Sequence, residues 1–227
     1  MGLFIFKKKT IFIDMENRIR KIIRNILSES ILTESRMSDK DKFNKYFRGV
    51  EIKDFEGLKY PKDDSEETRK EILKIKSIKL DLAFVKKCDD IKKMFKGYFK
   101  ENDLDFPDTL AKDIIDGTTY LLMGVKNFHR RPRPDKLAKK LSIEFDFVNL
   151  SSAKTPSFPS GHATQSHLLA SILSDMFPKH KKSFEKMADD ISMSRMMAKV
   201  HYPSDIESGK KVADVLYKQY KKNQAIY

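Results

Sequence analysis

Apolar residues in this chain recur at intervals of three and four, with charged residues between them, which is the period of helices that bury one face. From Glu16 to Leu27 the apolar set is Ile19, Ile22, Ile23, Ile26 and Leu27, and Arg18, Arg20, Lys21 and Arg24 occupy the other face. Such a basic amphipathic helix has a face for docking on the domain, for a second subunit in a homo-oligomer, or for peripheral contact with a membrane surface. Residues 28–64 lack the period: Phe43, Tyr46 and Phe47 stand as isolated aromatics, and the segment reads as a connecting arm. Asp64, with Glu67 three positions on, then predicts a helix start, followed by Ile72, Leu73, Ile75 and Ile78 on the inner face.

A single helix is expected over Leu80–Tyr98, with Leu82, Phe84, Val85, Ile91, Met94 and Phe95 inside. Asp105 and Pro107 mark the next start, and Leu110, Ile114, Ile115, Leu121, Leu122 and Val125 carry the pattern to Lys126. The block Arg130-Arg131-Pro132-Arg133-Pro134 cannot continue a helix, because each proline lacks an N–H and pushes its predecessor into extended geometry. Lys126 therefore lies at a helix end and Arg133 on the loop beyond it. A second loop, residues 151–159, delivers Ser160-Gly161-His162 to a helix that Pro178 ends. Helices over Ser183 to about Lys199 and over Pro203–Tyr220 complete an all-α chain, a single-domain helical bundle over residues 37–227 preceded by an extension over residues 1–36.

Composition narrows the class of protein. The 227 residues carry a formal charge of +13, but the lysines are spread through helical patterns with no interleaved aromatic block, so nucleic acid is not expected as a partner. Cys88 is the one cysteine, which excludes an internal disulfide, and its lysine and aspartate flanks are those of an ordinary helical position. No apolar run approaches the roughly 18 to 20 residues that span a bilayer. The lysine run at Lys7–Lys9 interrupts the apolar stretch that an export signal needs. A soluble, cytoplasmic protein is the expectation.

Three blocks carry the chemistry. Lys126 is followed after six residues by Arg133-Pro134; then comes Pro159-Ser160-Gly161-His162; then Ser194-Arg195, five residues, His201, three residues, Asp205. A phosphoryl group in transfer spreads its charge over equatorial oxygens, so catalysis rests on positioned cations and donors. Arg133 and Arg195 offer planar forks, Lys126 a point charge, and the helix start at Ser160-Gly161-His162 backbone N–H groups, with no Cβ at Gly161 to obstruct an anion. His201 and Asp205 are one helical turn apart, so the carboxylate can hold one ring nitrogen and leave the other to attack phosphorus. His162 can then protonate the leaving alkoxide and later activate water. These roles require His201 neutral and His162 charged, and they predict a bell-shaped pH dependence. No His, Cys and carboxylate set has metal-ligand spacing, so no metal is expected.

Together the blocks resemble the signature of the phosphatidic acid phosphatase type 2 superfamily, which includes class A non-specific acid phosphatases, membrane lipid phosphatases and vanadium-dependent haloperoxidases. Every fixed position is present and in order, and the text after His201 looks like that of the soluble acid phosphatases. The resemblance implies a helical bundle with a phosphohistidine on His201, Asp205 as its orienter and His162 as acid. It places Lys126, Arg133, Ser160, Gly161 and Arg195 around the phosphate of a small phosphorylated substrate. No cofactor is implied; vanadate enters as an inhibitor, or as cofactor if the pocket is that of a haloperoxidase. The third reading is a non-catalytic anion or membrane-surface module. His129, inside the first block, is expected on a solvated loop.

Overall fold

The computed structural model describes residues 38–225. The basic helix expected at Glu16–Leu27 and the extension over residues 1–36 lie outside the described residues. Among the described residues nine α-helices and three short 3₁₀ turns account for the regular structure, with no strand. The helices are α1 (Asp39–Phe47), α2 (Glu66–Lys76), α3 (Leu82–Cys88), α4 (Ile91–Glu101), α5 (Asp108–His129), α6 (Pro134–Lys140), α7 (Gly161–Met176), α8 (Lys181–Met197) and α9 (Pro203–Gln224). The protein is all-α, and no helix among the described residues is long and apolar enough to cross a membrane.

Helix α7 is the centre of the packing because it is apolar on more than one side. Leu168 and Ile172 face a core shared with Ile114, Leu121 and Val125 of α5 and Val212 and Leu216 of α9. One residue further round, Leu169 and Leu173 face a second core with Phe95 and Phe99 of α4 and Phe184 and Ile191 of α8. Full burial of each such side chain contributes about 1.5 to 3 kcal/mol. Both ends of α7 are thereby fixed against helices that arrive from other parts of the chain.

Four local expectations change. The segment expected to be a connecting arm contains α1, whose Phe43, Tyr46 and Phe47 are core residues and not isolated aromatics. The charged residues that hide its period are partnered: Lys42, 5% exposed, donates to Asp116 at 2.6 Å. The single helix expected over Leu80–Tyr98 is two. Asp90 caps a new start by accepting from Lys93 N at 2.9 Å, just as Asp81 caps α3 by accepting from Phe84 N at 2.9 Å. Finally, the loop after Arg133 turns at once into α6, with Pro134 in the first turn, where a missing N–H costs nothing. The expected N-cap at Asp64 is instead Ser65, which accepts from Thr68 N at 3.2 Å.

Helices α1 and α5 cross at Gly117, where a Cβ would come within 2.8 Å of Phe43 N and 3.0 Å of the Lys42 carbonyl carbon. Both contacts are backbone and cannot rotate away. Gly117→Ala should therefore destabilise the protein by about 1 to 3 kcal/mol through overpacking, read as a lower midpoint in thermal or denaturant unfolding. An unchanged midpoint would contradict this crossing.

Candidate active site

Four helix ends meet at one place. The last turn of α5 brings Lys126, the start of α7 brings Ser160, Gly161 and His162, the last turn of α8 brings Arg195, and the turn into α9 brings His201 and Asp205. The chain leaves α5 through Arg130, whose φ of 51° ends the helix, and Arg133 then precedes α6. Ser160 N donates to Asp205 O at 3.0 Å, which ties the second block to the third. Helix α9 passes so close to this turn that a Cβ on Gly209 would lie 2.7 Å from Ser160 O and 3.0 Å from Ala163 Cβ. By contrast a Cβ on Gly161 would meet only Leu122 Cδ1, at an ordinary 3.8 Å. All eight residues singled out from the sequence thus lie on elements that meet around His201.

The histidine–carboxylate pair has a defined tautomer. His201 Nδ1 lies 3.1 Å from Asp205 Oδ2, and Arg133 Nη1 donates to His201 Nε2 at 3.0 Å. A guanidinium has no acceptor, so Nε2 holds the lone pair and Nδ1 the proton. Burial, then Arg133, Lys126, Arg195 and His162, pushes the ring well below the ordinary histidine value, and it is neutral as expected. Burial pushes the Asp205 carboxyl upward, against Arg131, the Tyr202 N–H and Lys126. The ionised form nevertheless holds, because Arg131 Nη1 donates to Oδ1 at 2.7 Å and Tyr202 N to Oδ2 at 3.1 Å.

The cations are held by a strap, residues 143–157, that crosses the pocket. Lys126 Nζ donates to Pro156 O at 2.7 Å, Arg133 Nε to Thr155 O at 2.8 Å, and Arg195 Nη2 to Ser152 Oγ at 3.0 Å. The strap itself is pinned by Val148 N donating to Ala198 O at 3.0 Å. Burial lowers all three cations, with Lys126 brought down to about 7 by burial and by its neighbours Arg133 and Arg195. A pocket that strains to keep its charges is prepared for an anion.

One expectation about His162 is revised. Burial and Arg195 lower its value, outweighing Asp89, so the neutral ring is favoured over the charged ring the sequence reading required. Its Nε2 donates to Asp89 O at 2.9 Å, which leaves Nδ1 as the nitrogen that takes up or releases a proton. His129 is also not the solvated loop residue expected: it closes α5, its ring bonded to Phe55 O at 3.0 Å and edge-on to Phe158.

Sequence reasoning missed Asp89, Arg131 and Glu71. Asp89 Oδ1 accepts from Arg195 Nη1 at 2.6 Å and from Ser152 Oγ at 2.9 Å. A signal existed, since two adjacent aspartates break the helical period where one suffices as a cap. Arg131 donates to Asp205 and, through Nη2, to Glu71 Oε2 at 2.9 Å. The signal there is period two: in a proline-extended segment Arg131 and Arg133 share the buried side, while Arg130 is exposed. Nothing local marks Glu71.

Hydrogen bonding from His162, with Arg195 and Ser152, holds Asp89 well below the usual carboxylate range. A depressed folded value contributes stability that is full above the ordinary value of about 4 and is lost as pH falls from there toward the depressed one. Asp89→Asn should therefore lower unfolding free energy by about 1.5 to 3 kcal/mol at neutral pH, and denaturation curves of the two proteins should draw together below about pH 4. A gap that is constant with pH would remove Asp89 from this role.

Residues 115–213 match the family model of the PAP2 superfamily. The non-specific acid phosphatase of Salmonella typhimurium is 29% identical over 119 residues, which cover 51% of this chain and 47% of that protein. A lipid A 1-phosphatase of Rhizobium etli is 36% identical over 66 residues, covering 29% of this chain and 28% of that protein. The chain spans about half the length of the acid phosphatase it matches. Among solved structures, a bacterial vanadium-dependent iodoperoxidase superposes with a TM-score of 0.51 at 15% identity, over 82% of this chain and 53% of that one, a likeness of fold. The matched stretch contains every block that meets around His201, and it is over this stretch that the chain matches the PAP2 superfamily model.

Proposed function

We propose that the protein hydrolyses small phosphomonoesters without a metal, through a covalent phosphohistidine on His201 Nε2. The observation that carries this reading is the tautomer: Nδ1–H is held by Asp205 at 3.1 Å, and the Nε2 lone pair faces the cations that would bind the phosphate. The likeness of residues 115–213 to phosphatases supports the same class of reaction. Lys126, Arg133, Arg195 and the N–H groups at the start of α7 bind the phosphate oxygens and neutralise them through the transition state.

In the first step the Nε2 lone pair attacks phosphorus, the bond to the ester oxygen breaks, and the leaving alkoxide takes a proton from His162. The charge of the bound phosphate opposes Arg195 and raises His162, so the acid is loaded when substrate is present. In the second step water attacks phosphorus, gives its proton to His162, and the P–N bond breaks to return the Nε2 lone pair. Asp205 accepts the Nδ1–H bond throughout and stabilises the positive charge that develops on the ring. A cavity of about 340 Å³ lies beside the strap, lined in part by Arg133, Asp135, Lys136, Phe147 and Val200.

Vanadate, which mimics phosphate, fits the same cations and should compete with substrate. The test is hydrolysis of p-nitrophenyl phosphate in EDTA from pH 4 to 8, with acid-stable and acid-labile phosphoenzyme distinguished by quenching. His201→Ala should lower turnover by about 10⁴-fold or more and abolish the acid-labile phosphoenzyme. Because Lys126 is brought down to about 7 and must be charged to bind phosphate, KM should rise as pH increases through about 7. Full activity in folded His201→Ala, or activity that EDTA removes, would refute the reading.

A further inference from the structure

We infer that Glu71 and Arg131 are a positioning pair: they hold Asp205, and through it the His201 ring, in the attacking orientation and set how much negative charge the ring sees. The inference rests on the phosphatase reading only for its kinetic consequence, since orientation and charge are properties of the free pocket.

Arg131 is fully buried, and every edge of it is engaged except Nε. Its Nη1 donates to Asp205 Oδ1 and to Ser204 Oγ, both at 2.7 Å, and its Nη2 to Glu71 Oε2 at 2.9 Å. The faces of the guanidinium are held by the rings of Tyr202, at 3.8 Å, and Tyr60, at 4.6 Å. A planar ion stacked on aromatic rings and bonded at its edges has donors of fixed direction, which a lysine does not offer. The Asp205 carboxylate is thus clamped at Oδ1 and presents Oδ2 to His201.

Glu71 acts on the same helix start from the other side. Its Oε1 accepts from Ser204 N at 2.6 Å and its Oε2 from Ser204 Oγ at 2.8 Å. The N-cap residue of α9, Tyr202, makes no side-chain cap bond, so a carboxylate from α2 supplies the acceptor and the favourable charge at this N-terminus. One guanidinium between two carboxylates, Asp205 fully buried and Glu71 partly so, leaves a net negative charge, so Arg131 does not cancel Asp205. That residual charge is what a ring gaining positive charge needs.

The arrangement predicts opposite effects for its two members. Facing His201 are Lys126 of α5, Arg133 ahead of α6, His162 of α7, Arg195 of α8 and Asp205 of α9. Facing Arg131 are Glu71 of α2, Tyr60, Tyr202 and Asp205. Removing the charge of Glu71 leaves Arg131 to neutralise Asp205 more completely and disfavours the charged ring. Removing the charge of Arg131 does the reverse. A purely structural contact would move both in one direction or neither.

The experiment uses the full chain with Glu71→Gln, Arg131→Gln and Arg131→Lys. Ring ¹⁵N spectra of His201 at pH 7, its titration without substrate, and the pH profile of kcat/KM on p-nitrophenyl phosphate are compared. In the wild type the ring should be a single Nδ1–H tautomer, and both Gln variants should mix tautomers. The His201 midpoint and the acid limb of kcat/KM should fall in Glu71→Gln and rise in Arg131→Gln, by roughly half a pH unit or more. Both should lose about 10- to 100-fold in kcat, as outer partners of histidine ligands do in metal sites, with KM less affected. Arg131→Lys should restore the midpoint but not kcat, separating charge from orientation.

Folded variants with a wild-type tautomer and midpoint, or shifts of the same sign, would overturn the inference. If Arg131→Gln does not fold, Glu71→Gln decides alone: a downward shift supports it and no shift or an upward one refutes it. A wild type that hydrolyses no phosphomonoester would refute the phosphatase reading, while the ring spectra would still decide the positioning.

Discussion

Three buried cations, Lys126, Arg133 and Arg195, surround a neutral histidine in a pocket nearly closed to water, and the rest of the structure answers to that concentration of like charge. Removing such groups from water costs several kcal/mol each unless their hydrogen bonds are replaced. The strap supplies carbonyls and a hydroxyl for all three, and Asp89 and Asp205 supply the compensating charge. What remains unsatisfied is an excess of positive charge at a single point. On the proposed phosphatase reading a phosphate dianion would answer that excess, and binding and transition-state stabilisation would come from the same residues.

This site depends on the centre of the bundle. Helix α7 is buried between two cores, which leaves its N-terminus little freedom, and α9 crosses that N-terminus at Gly209 closely enough for Ser160 to bond Asp205 across the contact. The Ser160-Gly161-His162 turn and the histidine–carboxylate pair are therefore parts of one helix crossing. Helix α2 adds its carboxylate to the start of α9 from outside that crossing, and Arg131 carries the connection inward. The positioning of the reactive ring is thus distributed over α2, the segment after α5, and α9.

Burial also divides labour among groups of similar chemistry. Arg131, Arg133 and Arg195 are all buried, yet Arg131 spends its donors on Asp205, Ser204 and Glu71, Arg195 is paired to Asp89, and Arg133 faces the histidine lone pair. Of the three, only Arg133 bonds the His201 ring nitrogen that the proposed reaction would use. Asp89 and Asp205 differ in the same way: one is a partly exposed acceptor held ionised by His162 and Arg195, the other a fully buried orienter.

Relations within one helical turn or one short loop were legible in the chain. The apolar period determined α5, α7 and α9, the prolines after Arg130 determined where α5 stops, and the spacing of His201 and Asp205 determined the pair, because each depends on local backbone geometry. Helix α1 was hidden because its charged residues Lys42 and Lys45 are paired with Asp116 and Asp113 on α5, far along the chain. The break before α4 was hidden because a capping aspartate looks like any solvated one. Only the tertiary structure decided that Glu71 meets Ser204 across 133 positions, that Asp89 holds Arg195, that His162 is favoured neutral, and that the strap's carbonyls bond Lys126 and Arg133. Those relations are set by how helices cross and by how much water the crossing excludes, and no periodicity along a chain encodes either.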